Sequence, residues 1–170
     1  MSPPAPSVHA QLTLASEAET RALAGRLATL LHAGDTLLLD GPIGAGKTAF
    51  ARAMIHDLQA RAGLPPEDVP SPTFTLVQVY EAGALEIWHA DLYRLSHPDE
   101  AVELGLDEAF ATALCLVEWP DRLGSLAPTG ALRLAFAPGP SEDARLLTLS
   151  ADDPAWSARL APLLAACEDA

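Results

Sequence analysis

The residues best suited to chemistry stand together at Gly41-Pro42-Ile43-Gly44-Ala45-Gly46-Lys47-Thr48, which fits the pattern G-x-x-x-x-G-K-[ST]. A loop of this kind holds phosphate. Its glycines allow a tight turn in which successive backbone N–H groups point inward at phosphate oxygens. Lys47 supplies an ammonium for the β- and γ-phosphates, and the Thr48 hydroxyl is a ligand for Mg²⁺. Lys47 is the only lysine among the 10 lysines and arginines of the chain. A compact point charge suits a crowded phosphate pocket better than a guanidinium fork. Gly44, Ala45, Gly46, Lys47, Thr48 and Ala49 form the expected nucleotide-contacting set, with Lys47 also the first catalytic candidate.

A phosphate loop needs an acid to hold the Mg²⁺ water shell, usually at the C-terminal end of an apolar strand. Asp91, after Leu85–Ala90, and Glu118, after Leu114–Val117, both qualify, and spacing does not choose between them. Ser71-Pro72-Thr73 lies in a loop before a strand, where a hydroxyl can sense the γ-phosphate or metal. An ordinary turn explains the same three residues. His89 precedes Asp91 and reads as a hydrogen-bonded structural histidine before it reads as a catalytic one. His9, His32, His56 and His97 have no metal-ligand spacing.

These residues have to be positioned by a strand, a loop and a helix. Thr36–Asp40 reads as a buried strand. Residues 48–62 read as a helix whose apolar face is Phe50, Met54, Ile55 and Leu58, stopped by Gly63. Upstream, residues 1–9 read as a disordered proline-rich tail and residues 10–14 as a first strand. Ser16 and Glu19 form a capping box for a helix with Leu23, Leu27, Leu30 and Leu31 on one face, ending at Gly34. Downstream, residues 64–72 carry four prolines and form a loop. Strands are expected at 74–80 and 85–90 around a turn at 81–84. Short helices follow at 98–104 and 106–113, then strands at 114–117, 131–136 and 145–149. A terminal helix presents Trp156, Leu160, Leu163 and Leu164. Hairpins mixed with strand–helix units predict a mixed sheet with helices on both faces, an α/β fold of the P-loop NTPase type, in one domain over 10–170.

Composition narrows the function. At 170 residues and 49% hydrophobic content the chain can bury a real core. A net charge of −13 repels nucleic-acid phosphates. No arginine cluster is visible along the sequence, so tight nucleic-acid binding is not expected. Cys115 and Cys167 make neither a disulfide framework nor a metal motif, and Cys115 reads as a small core hydrophobe. No apolar run is long enough to span a membrane, and the N-terminus lacks a signal-peptide pattern. The cytoplasm is the expected location. The acidic run Glu100, Glu103, Asp107 and Glu108 reads as a solvated face.

Beyond the loop, SPTFTLV (71–77), HADLYRL (89–95), ELGL (103–106) and LVEWPDRL (116–123) follow in that order. With GPIGAGKT they make the chain similar to the TsaE family of bacterial P-loop ATPases, which take part in making threonylcarbamoyladenosine in tRNA. The resemblance runs from about residue 12 to about residue 150. It implies ATP and Mg²⁺ as cofactors, the TsaD and TsaB proteins as partners, and Mg²⁺ contacts at Thr48 and Glu118. It implies places for Thr73 and Asp91 near the γ-phosphate, which with Lys47 and Glu118 complete the catalytic set. It puts Trp119 beside the nucleotide, and Glu17 and Arg145 near its base or sugar. Pro42 departs from the acidic residue or asparagine usual in the family; it stiffens the loop. Three other functions compete. A small-molecule kinase usually needs an arginine-rich lid, and none is visible. A GTPase relies on N/T-K-x-D, but this chain has no asparagine and no second lysine. A nucleotide-dependent binding module without useful turnover is compatible with every motif.

Overall fold

The computed structural model describes residues 7–168. Seven strands form one sheet in the order β1-β7-β6-β2-β5-β4-β3. They are β1 (Val8–Leu14), β2 (Thr36–Asp40), β3 (Val77–Ala82), β4 (Leu85–Asp91), β5 (Leu114–Glu118), β6 (Leu132–Pro138) and β7 (Arg145–Ala151). The central strands β6, β2, β5 and β4 run parallel, and β1, β7 and β3 are antiparallel to their neighbours. The helices are α1 (Glu17–Ala28), α2 (Lys47–Arg61), α3 (Asp99–Glu103), α4 (Leu106–Thr112) and α5 (Ala155–Glu168), with a 3-10 segment at Pro120–Leu126.

Strand alternation sorts the core into two layers. Leu37, Leu39, Ile87, Leu114 and Leu116 face one side and pack with Leu23 of α1, Phe50 and Met54 of α2, and Trp156 and Leu160 of α5. Leu38, Ala90, Cys115 and Val117 face the other side, against Ala101 of α3, Leu106 of α4 and Leu123. The mixed sheet with helices on both faces is the architecture the sequence predicts. Cys115 is fully buried in it, and burial pushes its thiol up to about 12.

Local physics accounts for the boundaries, including those that differ from expectation. The Ser16 hydroxyl accepts from Glu19 N at 3.2 Å, and the Glu19 carboxylate reaches back to Ala15 N. That helix stops at Ala28, short of Leu30 and Leu31, which still pack against the core. The Leu30 carbonyl is taken by Arg159 of α5, whose guanidinium also pairs with Asp35. The first strand begins at Val8, two residues earlier than expected; residues 1–6 of the expected tail lie outside the described residues. The turn between β3 and β4 is only Gly83-Ala84, because Gly83 at φ 64° suits a two-residue hairpin turn. Strand β3 starts at Val77, not Phe74. Residues 73–75 form a turn closed by Leu76 N donating to Pro72 O, and Leu76 itself has φ 68°.

Candidate functional site

The loop between β2 and α2 is built by glycine. Gly41 has φ 141°, and a Cβ there would stand 2.6 Å from the Phe136 carbonyl oxygen, so no side chain fits. Asp40 holds the start of the loop by accepting from Gly41 N at 2.9 Å and from Arg133 at 3.1 Å. Gly46 caps α2 with φ 103°, directing the first N–H groups of that 15-residue helix into the loop. The geometry is that of an anion cradle.

Three site residues converge through strand parity. Leu114, Leu116 and Glu118 share one face of β5; Ile87, His89 and Asp91 share the same face of β4. Asp91 and Glu118 stand in register at the C-terminal ends of the parallel strands, with α2 on that face. The Thr48 hydroxyl, in the first turn of α2, donates to Glu118 Oε1 at 2.7 Å. Thr73 donates to Asp91 Oδ2 at 2.9 Å and meets the Ser71 hydroxyl at 2.8 Å. Asp91 Oδ1 accepts from Tyr93 N at 3.0 Å. The two acids left open by spacing are thus divided: Glu118 is tied to the phosphate loop, Asp91 to the Ser71–Thr73 turn.

Lys47 is buried. Its ammonium donates to the Gly41 carbonyl and lies 3.6 Å over the Trp119 ring. Burial lowers its pKa, opposed by the charges of Glu118, Asp91, Asp40 and Asp121. Trp119 stacks on Tyr93 at 4.9 Å. Among the described residues, the only non-glycine positions with positive φ are Leu76 and Trp119. Each closely follows a candidate site residue, Thr73 and Glu118 respectively, and such strain gathers where a site over-determines its backbone.

A cavity of about 470 Å³ opens over Gly44–Ala49 and takes in Thr73, Asp91, Glu118, Trp119, Glu17 and Arg145. Every candidate site residue therefore lines one space. Arg145 lies across the loop, donating from Nε to Ala45 O at 2.9 Å. Beside this cavity is a second one of about 350 Å³, sharing Glu17, Gly46, Ala49 and Arg145 and adding Thr20, Arg21, Arg52 and His56. It does not touch Thr73, Asp91, Glu118 or Trp119. The sequence shows no arginine cluster, yet folding brings three arginines to this space. They come from α1, α2 and β7, so no local pattern announces them.

The metal-ligating atoms beside the glycine loop are oxygens: the Thr48 hydroxyl and the carboxylates of Glu118 and Asp91. They fit Mg²⁺, which is held by one or two carboxylates together with water and substrate phosphates. Arg94 forms no ion pair with the acidic run among the described residues; its guanidinium sits 5.3 Å from the Phe74 ring.

A family model described as "Threonylcarbamoyl adenosine biosynthesis protein TsaE" matches residues 14–146. The chain belongs to the TsaE family. It is 37% identical over 134 residues to the tRNA threonylcarbamoyladenosine biosynthesis protein TsaE of Bacillus subtilis, covering 78% of this chain and 80% of that protein. Against the Rickettsia bellii TsaE the identity is 39% over 122 residues, covering 72% and 82%. The Rickettsia conorii TsaE is 45% identical over 109 residues, and the match spans 64% of this chain and 60% of that protein. Among solved structures, Bacillus subtilis YdiB superposes with a TM-score of 0.76 at 29% identity, over 95% of this chain and 97% of that one. The mixed sheet is therefore shared with an experimentally determined fold. In this TsaE-family chain the matched span holds the phosphate loop, both acids, Trp119 and Arg145.

Proposed function

We propose that this chain binds and hydrolyses Mg-ATP as an accessory protein in forming N6-threonylcarbamoyladenosine in tRNA, acting on the TsaD–TsaB complex. The observation that carries the reading is the Thr48–Glu118 hydrogen bond at 2.7 Å beneath a glycine cradle. It aligns a hydroxyl and a carboxylate that would together hold Mg²⁺, which would supply charge neutralisation there. Lys47 would meet the phosphate charge from the other side of the loop. Thr73 and Asp91 would stand at the γ-phosphate and orient the attacking water. The base and sugar would lie toward the second cavity, past Ala49, with Glu17 and Arg145 at the junction.

That placement also argues against a kinase. The arginine-lined cavity borders Gly46 and Ala49 and not Thr73 or Asp91, so it does not face the end of the nucleotide where a phosphoryl acceptor would bind. A protein partner could order Ser71–Thr73 or complete charge stabilisation at such a site. The acidic surface would leave tRNA to that partner. The reading places the protein in the cytoplasm. No helix among the described residues is long and apolar enough to cross a membrane.

The test is steady-state ATP turnover with and without the TsaD and TsaB proteins of the same organism, with association followed by gel filtration. Slow turnover alone and faster turnover in the complex is the expected result. No association in any nucleotide state, together with unchanged tRNA modification when the protein is omitted, would overturn the reading.

A further inference from the structure

We propose that His89 is a positioning residue that locks the Glu118 carboxylate and so sets how tightly the site takes Mg²⁺; this rests on the Mg-nucleotide reading above. Glu118 is buried, and its two oxygens have separate donors. Oε1 accepts from the Thr48 hydroxyl at 2.7 Å, and Oε2 faces His89 Nε2 at 2.7 Å. His89 has no solvent exposure, and its Nδ1 meets no protein partner among the described residues. An ionised carboxylate only accepts hydrogen bonds, so the imidazole proton belongs on Nε2. The ring's one polar contact is therefore the Nε2 donation to Glu118.

The position is informative. His89 pairs with Leu116 across β4 and β5, between the apolar pair Ile87–Leu114 and the acidic pair Asp91–Glu118 on the same face. An apolar residue would satisfy that packing and leave no bare nitrogen. The only contact that uses the ring's polarity is the one to Glu118. With both oxygens engaged, the carboxylate cannot rotate, and the Thr48 proton is drawn toward it. This leaves the lone pairs of the Thr48 hydroxyl for a cation. His89 would touch neither the cation nor the nucleotide; it acts through Glu118. Partners of metal-liganding groups typically change metal affinity about 10- to 100-fold when removed.

The experiment compares wild type, His89→Leu and His89→Gln in the full chain. ATP affinity is measured by calorimetry across a Mg²⁺ titration and in the presence of a chelator, alongside turnover. Glutamine can place an amide donor where Nε2 stands; leucine cannot. His89→Leu should raise the Mg²⁺ concentration for half-maximal binding about 10- to 100-fold, leave metal-free affinity unchanged, and be rescued by His89→Gln. If leucine does not fold, His89→Asn, whose amide falls short of Oε2, takes its place. The nitrogen-15 shifts of the wild-type ring should show a protonated Nε2. A folded leucine or asparagine variant with the wild-type Mg²⁺ dependence overturns the proposal. So does a ring protonated at Nδ1 alone, or an equal loss of metal-free and Mg²⁺-dependent affinity. A wild type that binds ATP with no Mg²⁺ dependence would instead overturn the metal reading, and this inference with it.

Discussion

Replacing Lys47 by alanine removes the one lysine of the glycine loop, and its effect can be worked out from what the side chain touches. Its ammonium donates to the Gly41 carbonyl and lies 3.6 Å over the Trp119 ring. Bound ATP would exchange these contacts for phosphate oxygens. Charge-assisted hydrogen bonds contribute about 1.5–3 kcal/mol each, and a cation–π contact about 0.5–2 kcal/mol. Trading the carbonyl for one phosphate oxygen is close to neutral. The second phosphate contact, less part of the Trp119 stack, leaves a net of about 2 kcal/mol, roughly 30-fold in Kd. Lys47→Ala should weaken Mg-ATP binding by that order, measured calorimetrically, with circular dichroism and melting confirming the fold. Lys47→Arg should bind about as weakly, since a planar fork does not fit between Gly41 and the indole. A folded Lys47→Ala variant with a Kd within about threefold of wild type, a change of under 1 kcal/mol, would refute the reasoning.

Three further predictions concern the same cluster. Glu118→Gln should impair Mg²⁺-dependent turnover more than nucleotide binding, and Asp91→Asn should slow hydrolysis; Mg²⁺ titration of both variants checks this, and an unchanged dependence in Glu118→Gln would move the metal role to Asp91. Trp119 should report ATP by fluorescence as Lys47 leaves its ring, and Trp119→Phe should abolish the change; a surviving signal would come from Trp88 or Trp156. Burial holds the Lys47 pKa below its ordinary 10.5. The unfolded chain therefore binds more protons between the folded pKa and 10.5, and wild-type stability gains with pH across that window. Relative to wild type, Lys47→Met should lose its advantage as pH rises toward 10.5, read from denaturant midpoints.

Much of this was legible in the residues because local rules and global packing agree. Thr36–Asp40, the glycine loop and the Phe50–Leu58 face form a strand, a turn and a helix by short-range physics alone. The β5 strand needs only its apolar run, and Glu118, the first charge after it, marks where that run ends. Other features depend on tertiary pairing. The helix after Ser16 ends early as the N–H groups of Thr29, Leu30 and Leu31 bond three residues back, and Arg159, far along the chain, takes the Leu30 carbonyl. Phe74–Leu76 looks like strand, but Asp91 holds Thr73 and Leu76 in a turn. The convergence of Arg21, Arg52 and Arg145 leaves no trace in spacing. The pairing of His89 with Glu118 had a readable cue: each lies an even number of residues from a core leucine or isoleucine of its own strand.

The helix that starts at Lys47 also holds down the proline loop behind it. On successive turns of α2, Arg52 donates to Val69 O at 2.9 Å, His56 Nε2 meets Glu67 O at 2.8 Å, and Gln59 reaches the Glu67 carboxylate. Val69 is buried. On the far side, Leu76 O accepts from Asp91 N at 2.9 Å, pinning that end to the sheet. The segment carrying Ser71 and Thr73 is thus a short tether between two fixed posts, with Pro70 and Pro72 stiffening it. Four residues of fully extended chain reach no more than about 14 Å, and prolines shorten the range of shapes available. Whatever these hydroxyls respond to, they can travel only within that radius of Val69. A large swing of this edge would have to carry α2, and with it the phosphate loop, along as one piece.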